Sequence, residues 1–165
     1  MKHQAVLFDC DGVLVDSEAI NNRVLRRNLN DEGWALSETE CMCIFVGKMV
    51  RSETEQIETN IGRAIDDEWM AVFYERRNIA LREELLAIPD SVLAVQAAHQ
   101  VFNGNIACAS GADMEKVLMQ LQKVALKDYF KHVLSGHDCK RNKPFPDVYL
   151  KAASALNTDI SRCIV

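Results

Sequence analysis

At 165 residues, 48% of them hydrophobic and 26% charged, the sequence has the balance of one compact globular domain, or of a domain with a modest insertion, and excludes a disordered or fibrous chain. The net charge of -5, with Lys and Arg scattered, excludes a basic face for nucleic acid, so an anionic ligand has to be met by local positive groups. No apolar run approaches a membrane span, Met1-Lys2-His3-Gln4 carries no signal-peptide core, and the six cysteines show no zinc or redox spacing. Read as reduced thiols, they predict a cytoplasmic protein without a membrane partner.

The predicted elements begin with Ala5-Val6-Leu7-Phe8, an apolar run that reads as a buried strand. It delivers Asp9 and Asp11 into a loop with Gly12. From Val15 to about Pro89 the pattern is helical. Ser17 reads as the cap of a helix from Glu18 to near Asn30, with Ile20, Val24, Leu25 and Leu29 as its stripe. Ser37-Glu38-Thr39-Glu40 is a capping box. A third helix runs from about Ser52 to Ile61, and Asp66-Asp67-Glu68 opens a long helix through Leu86. From Asp90 the elements alternate. A helix spans Ser91 to His99, and a strand at 105–109 ends at Ser110-Gly111. An amphipathic helix follows from Ala112 to Val124, with Ser110 as its cap and Val117, Leu118, Leu121 and Val124 on one side. A strand at His132–Ser135, a helix from Phe145 to Leu156 and a strand at Cys163-Ile164-Val165 complete the series.

Alternating strands and helices imply an α/β fold with a Rossmann-like parallel sheet and helical crossovers. The predicted core is 1–15 with 90–165, and 16–89 is an α-helical cap inserted after the first strand. In such a sheet the strand ends share one edge, where ligands bind. Asp9 and Asp11, the Ser110 hydroxyl and Lys143 all follow strand ends and would share a cleft. That set suits phosphoryl transfer: the carboxylates Asp9 and Asp11 hold Mg²⁺, and the lysine and hydroxyl bind the remaining phosphate oxygens.

Three strings carry a family resemblance: Asp9-x-Asp11-Gly12-Val13-Leu14-Val15-Asp16-Ser17-Glu18, Ala109-Ser110, and Ser135 to Asp147 with Asn142-Lys143-Pro144-Phe145-Pro146-Asp147 at its end. Together they make the sequence resemble a haloacid dehalogenase superfamily phosphatase, of the capped, beta-phosphoglucomutase-like subgroup. The resemblance implies that Asp9 is the nucleophile and forms an aspartyl-phosphate, and that Asp11 is the general acid and base. It implies that Ser110 donates to a phosphoryl oxygen and that Lys143 pairs with the phosphoryl group and with Asp9. Mg²⁺ takes an Asp9 oxygen and the Asp11 backbone carbonyl, while Gly12, Glu18, Gly111 and Arg51 contact substrate. The expected function is Mg²⁺-dependent hydrolysis of a small phosphorylated metabolite, a sugar or sugar-acid phosphate.

The mutase branch carries a cap-helix histidine where this sequence has Glu18-Ala19-Ile20-Asn21-Asn22, which favours hydrolysis over sugar-phosphate mutation. The family's fourth motif, an acidic pair after a strand, has no counterpart following Arg162-Cys163-Ile164-Val165. The expectation is therefore a chain truncated before that motif, with an incomplete core. A catalytically impaired remnant is the alternative function.

Overall fold

A computed structural model of the chain describes residues 2–165. The chain forms two compact units, one made of the stretch up to Asp16 together with Leu85–Val165, the other of Ser17–Glu84.

The first unit is built on a four-stranded sheet of β1 (Ala5–Phe8), β2 (Ile106–Ser110), β3 (His132–Ser135) and β4 (Cys163–Ile164), in the order β3-β2-β1-β4. Every pairing is parallel, with Phe8 opposite Cys108 and Ser110 opposite Ser135. A parallel sheet needs a crossover between neighbouring strands, and the alternation in the sequence supplies helices for that purpose. All five residues of β2 are buried, as a central strand covered on both faces requires. On one face, Ala5, Leu7, Ala107 and Ala109 pack against Val148, Ala152, Ala153 and Leu156, most of them on α7 (Asp147–Ala155). The alanines on both sides allow close approach of helix and sheet. Two further helices, α5 (Ser91–Val101) and α6 (Met114–Lys123), complete the unit.

The second unit is helical throughout: α1 (Glu18–Asp31), α2 (Glu38–Phe45), α3 (Thr54–Ile61) and α4 (Asp67–Glu84). Its core gathers Val24, Leu25 and Leu29 of α1, Cys41 and Phe45 of α2, Ile57 of α3, and Trp69, Met70 and Phe73 of α4. Burying a large apolar side chain stabilises by about 1.5–3 kcal/mol, so this cluster is what orders the unit. The Ser37–Glu40 capping box is present with both of its hydrogen bonds.

Some local expectations are corrected. The Ser17 side chain makes no capping bond to α1, because its backbone is already helical (φ −95°, ψ −18°) and not extended as a capping residue needs. Ser110 is not the cap of α6. That position falls to Asp113, extended at φ −64° and ψ 152°, whose carboxylate accepts from the Lys116 amide. The third helix begins as a 3₁₀ turn, Val50–Glu53. The long helix stops at Glu84, because the Leu86 carbonyl accepts from the Asp16 amide (3.0 Å) and Ala87 bridges Val15. Among the described residues no helix is long and apolar enough to cross a membrane.

Candidate active site

Beyond Phe8 the chain leaves the sheet and winds tightly. The Cys10 carbonyl accepts from the amides of Val13, Leu14 and Val15 at 3.3, 2.9 and 3.2 Å. The turn needs a left-handed residue, and Gly12 (φ +71°) supplies it; a Cβ there would meet nothing, so the backbone angle and not crowding selects glycine. Asp9 sits at the mouth of this loop with its side chain about a third exposed. Its Oδ1 accepts from the Cys10 amide at 2.7 Å and lies 2.7 Å from Lys143 Nζ, an ion pair that is off hydrogen-bond alignment.

Lys143 reaches Asp9 from the long loop after β3. Asn142 anchors that loop: its Nδ2 donates to the Gly111 carbonyl at 2.8 Å, and its Oδ1 accepts from the Lys143 amide at 2.7 Å. The loops after β2 and β3 are thus joined by one side chain. Space for it comes from two glycines. A Cβ on Gly111 would stand 3.3 Å from Asn142 Oδ1, and one on Gly136 would overlap the Asn142 side chain. The Tyr149 ring of α7 lies 4.8 Å from Lys143 Nζ. Burial works against the charge on Lys143, but Asp9 and Tyr149 outweigh it and hold the ammonium above the usual lysine range. Lys143 is therefore a cation throughout the physiological range.

Asp11 turns toward α6. Its Oδ1 accepts from Lys116 Nζ at 2.8 Å and from Gln120 Nε2 at 2.9 Å. The sequence reading missed both residues. A signal existed: they are one helical turn apart on a helix whose apolar residues, Val117 and Leu121, neighbour them. Both are buried, Gln120 completely. The Cys10 thiol lies 3.6 Å from Gln120 Oε1 and donates to it. A hydrogen bond with Cys108 and then burial push that thiol's pKa upward, so it stays protonated.

Ser110 is fully buried at the end of β2, and its Oγ accepts from the Ala112 amide at 3.1 Å. Asp9, Asp11, Gly12, Ser110, Gly111 and Lys143 thus all belong to the C-terminal edge of one parallel sheet. Glu18 and Arg51 belong to the helical unit. Glu18 opens α1, and the exposed Arg51 guanidinium pairs with Asp67 at 2.9 Å.

For a divalent cation this edge offers a hard oxygen donor, the Asp9 carboxylate, about a third exposed. No cluster of three His, Cys, Asp or Glu side chains forms a metal cage among the described residues. Carboxylate oxygen is the ligand type Mg²⁺ takes in phosphate-handling sites, where one or two carboxylates suffice and the remaining positions are left to phosphate oxygens and water.

The family model for haloacid dehalogenase-like hydrolases matches residues 3–165. The chain is 29% identical to 6-phosphogluconate phosphatase of Escherichia coli (strain K12) over 167 residues, 98% of this chain and 72% of that protein. It is 26% identical to the phosphorylated carbohydrates phosphatase of Thermotoga maritima over 172 residues, 98% of this chain and 74% of that one. The crystal structure of a conserved haloacid dehalogenase-like protein of unknown function from Agrobacterium tumefaciens str. C58 superposes with a TM-score of 0.81 at 27% identity, covering 98% of this chain and 72% of that chain.

Proposed function

Because this chain belongs to the haloacid dehalogenase-like hydrolases, we propose that it hydrolyses phosphate monoesters of small metabolites, of the sugar or sugar-acid class, with Mg²⁺ and through an aspartyl-phosphate. The observation that carries this reading is the Asp9–Lys143 ion pair of 2.7 Å at the sheet edge. It sets a cation beside the carboxylate that would act as nucleophile, where phosphate charge arrives. The names of the two phosphatase relatives support the substrate class.

Asp9 attacks phosphorus, forming a carboxyl–phosphorus bond as the ester oxygen departs. Asp11 gives that oxygen its proton, and later takes a proton from the water that attacks the acyl phosphate and regenerates Asp9. Lys143 balances charge on the transferring group. Ser110, with Gly12 and Gly111, lines the phosphate position. Mg²⁺, held by the Asp9 carboxylate and the Asp11 carbonyl oxygen, would supply charge neutralisation at the phosphoryl oxygens. The helical unit, with Glu18 and Arg51, is assigned substrate choice. The absence of histidine from Glu18-Ala19-Ile20-Asn21-Asn22 supports hydrolysis over mutase transfer. The cysteines suit a cytoplasmic setting, where they remain thiols.

The test is phosphate release from an aryl phosphate, with and without Mg²⁺. The native protein is expected to release phosphate until EDTA is added. Asp9→Asn should fall below detection with an unchanged circular dichroism spectrum. Substantial turnover by a clean Asp9→Asn preparation would remove Asp9 as the nucleophile.

A further inference from the structure

We propose that Lys116 and Gln120 are positioning residues for Asp11: both donate to its Oδ1 and fix the direction in which the carboxyl meets the leaving group. The proposal rests on the acid–base role given to Asp11 above.

Both donors converge on the same atom, Asp11 Oδ1, at 2.8 and 2.9 Å. They come from one face of α6, four residues apart, so a single rigid element supplies both. That element is itself fixed, because the Asp113 carboxylate accepts from the Lys116 amide at 2.8 Å and Val117 and Leu121 are completely buried beside the pair. The amide of Gln120 is oriented from its other end as well. Its oxygen takes the Cys10 thiol, so its nitrogen is turned to Asp11. The Lys116 side chain is only 8% exposed. Burying a lysine and a glutamine costs solvation that apolar residues at these positions would not, so the pair is matched to the carboxylate and not to the core.

With Oδ1 engaged by two donors from one rigid helix, the Asp11 carboxyl cannot rotate freely about its own bond. Asp11 acts twice in the cycle, once on the ester oxygen and once on water. A carboxyl whose plane is fixed meets both partners from the same direction. Orientation of this kind is a large component of catalysis, and general acid transfer contributes about 10²–10⁴-fold.

The test compares two esters, 2-glycerophosphate and 4-nitrophenyl phosphate, because nitrophenolate departs with little help from an acid. The specificity constant kcat/KM reports the steps through leaving-group departure. For Lys116→Met, kcat/KM on 2-glycerophosphate should fall about 100-fold, the low end of what proton transfer contributes, and on 4-nitrophenyl phosphate by less than about threefold. Lys116→Arg should recover most of the loss. Gln120→Leu should show the same selectivity in weaker form, and serves if Lys116→Met folds poorly. Equal losses on both esters, no loss, or faster turnover of the alkyl ester would overturn the proposal.

A second measurement needs no turnover. In ¹⁵N-lysine-labelled protein, the Lys116 ammonium, identified by its loss in Lys116→Met, should give a signal that moves in Asp11→Asn and holds in Asp9→Asn. A signal indifferent to Asp11→Asn overturns the grip. If the native protein releases no phosphate from either ester, the phosphatase reading fails on its own, and the ammonium signal still decides whether Lys116 holds Asp11.

Discussion

Both units carry ion pairs of nearly equal length, and they are not equivalent. In the helical unit, Arg51–Asp67 and Arg76–Asp31 each span 2.9 Å with side chains that are 60%/91% and 51%/66% exposed. At the sheet edge, Lys116–Asp11 spans 2.8 Å at 8%/19% and Lys143–Asp9 spans 2.7 Å at 25%/31%. Water competes for the first two pairs and largely not for Lys116–Asp11. An exposed pair contributes about 0–1 kcal/mol, whereas removing one partner of a buried pair strands a charge and costs about 3–5 kcal/mol. Separation says little about what an ion pair does; solvent access decides it.

The largest effect on stability should come from Lys116→Met, which keeps the stem but takes the ammonium away from Asp11. Because Asp11 is partly exposed, the loss should be about 2 kcal/mol, below the range for fully buried pairs, read from urea unfolding. If it cost no more than an exposed pair, the contrast between the two units would collapse. Next comes Ser37→Ala, which removes the capping box of α2 and should cost about 1 kcal/mol near neutral pH. The hydrogen bonds from the Ser37 hydroxyl, then from its backbone amide, hold the Glu40 carboxyl below its ordinary value. A depressed carboxyl stabilises the fold above its unfolded value, and that stabilisation is lost as pH falls through the folded one. The deficit of Ser37→Ala should therefore shrink in acid, and a deficit that grew there would contradict the assignment. Smallest is Arg51→Ala, whose urea midpoint should lie close to that of the native protein and closer still in 1 M salt, because the pair is open to water.

The strands and most of the helices were legible because hydrophobic period and punctuation are local properties. Asp9 and Lys143 were legible for another reason, since each sits inside a distinctive string. Lys116 and Gln120 sit in no string. On an amphipathic helix, a lysine and a glutamine read as part of the solvated side, and Leu118 reads as more buried than either. The order is reversed in the fold, because the carboxylate of Asp11 draws that face inward. Ser110 was misplaced as a cap because Ser and Asp compete for that position, and backbone dihedrals, which composition does not reveal, gave it to Asp113.

The chain leaves the sheet unit and returns to it through a narrow doorway. The Leu86 carbonyl accepts from the Asp16 amide and the Leu14 carbonyl from the Ile88 amide, both at 3.0 Å, and the Ser91 hydroxyl donates a second bond to the Leu14 carbonyl. Whatever lies between has its two ends fastened side by side. The entropy of closing such an excursion grows only with the logarithm of its length. The sheet is therefore nearly indifferent to what is spliced into that opening, so the helical segment is free to be enlarged, shortened or exchanged while the sheet edge around Asp9 stays unchanged.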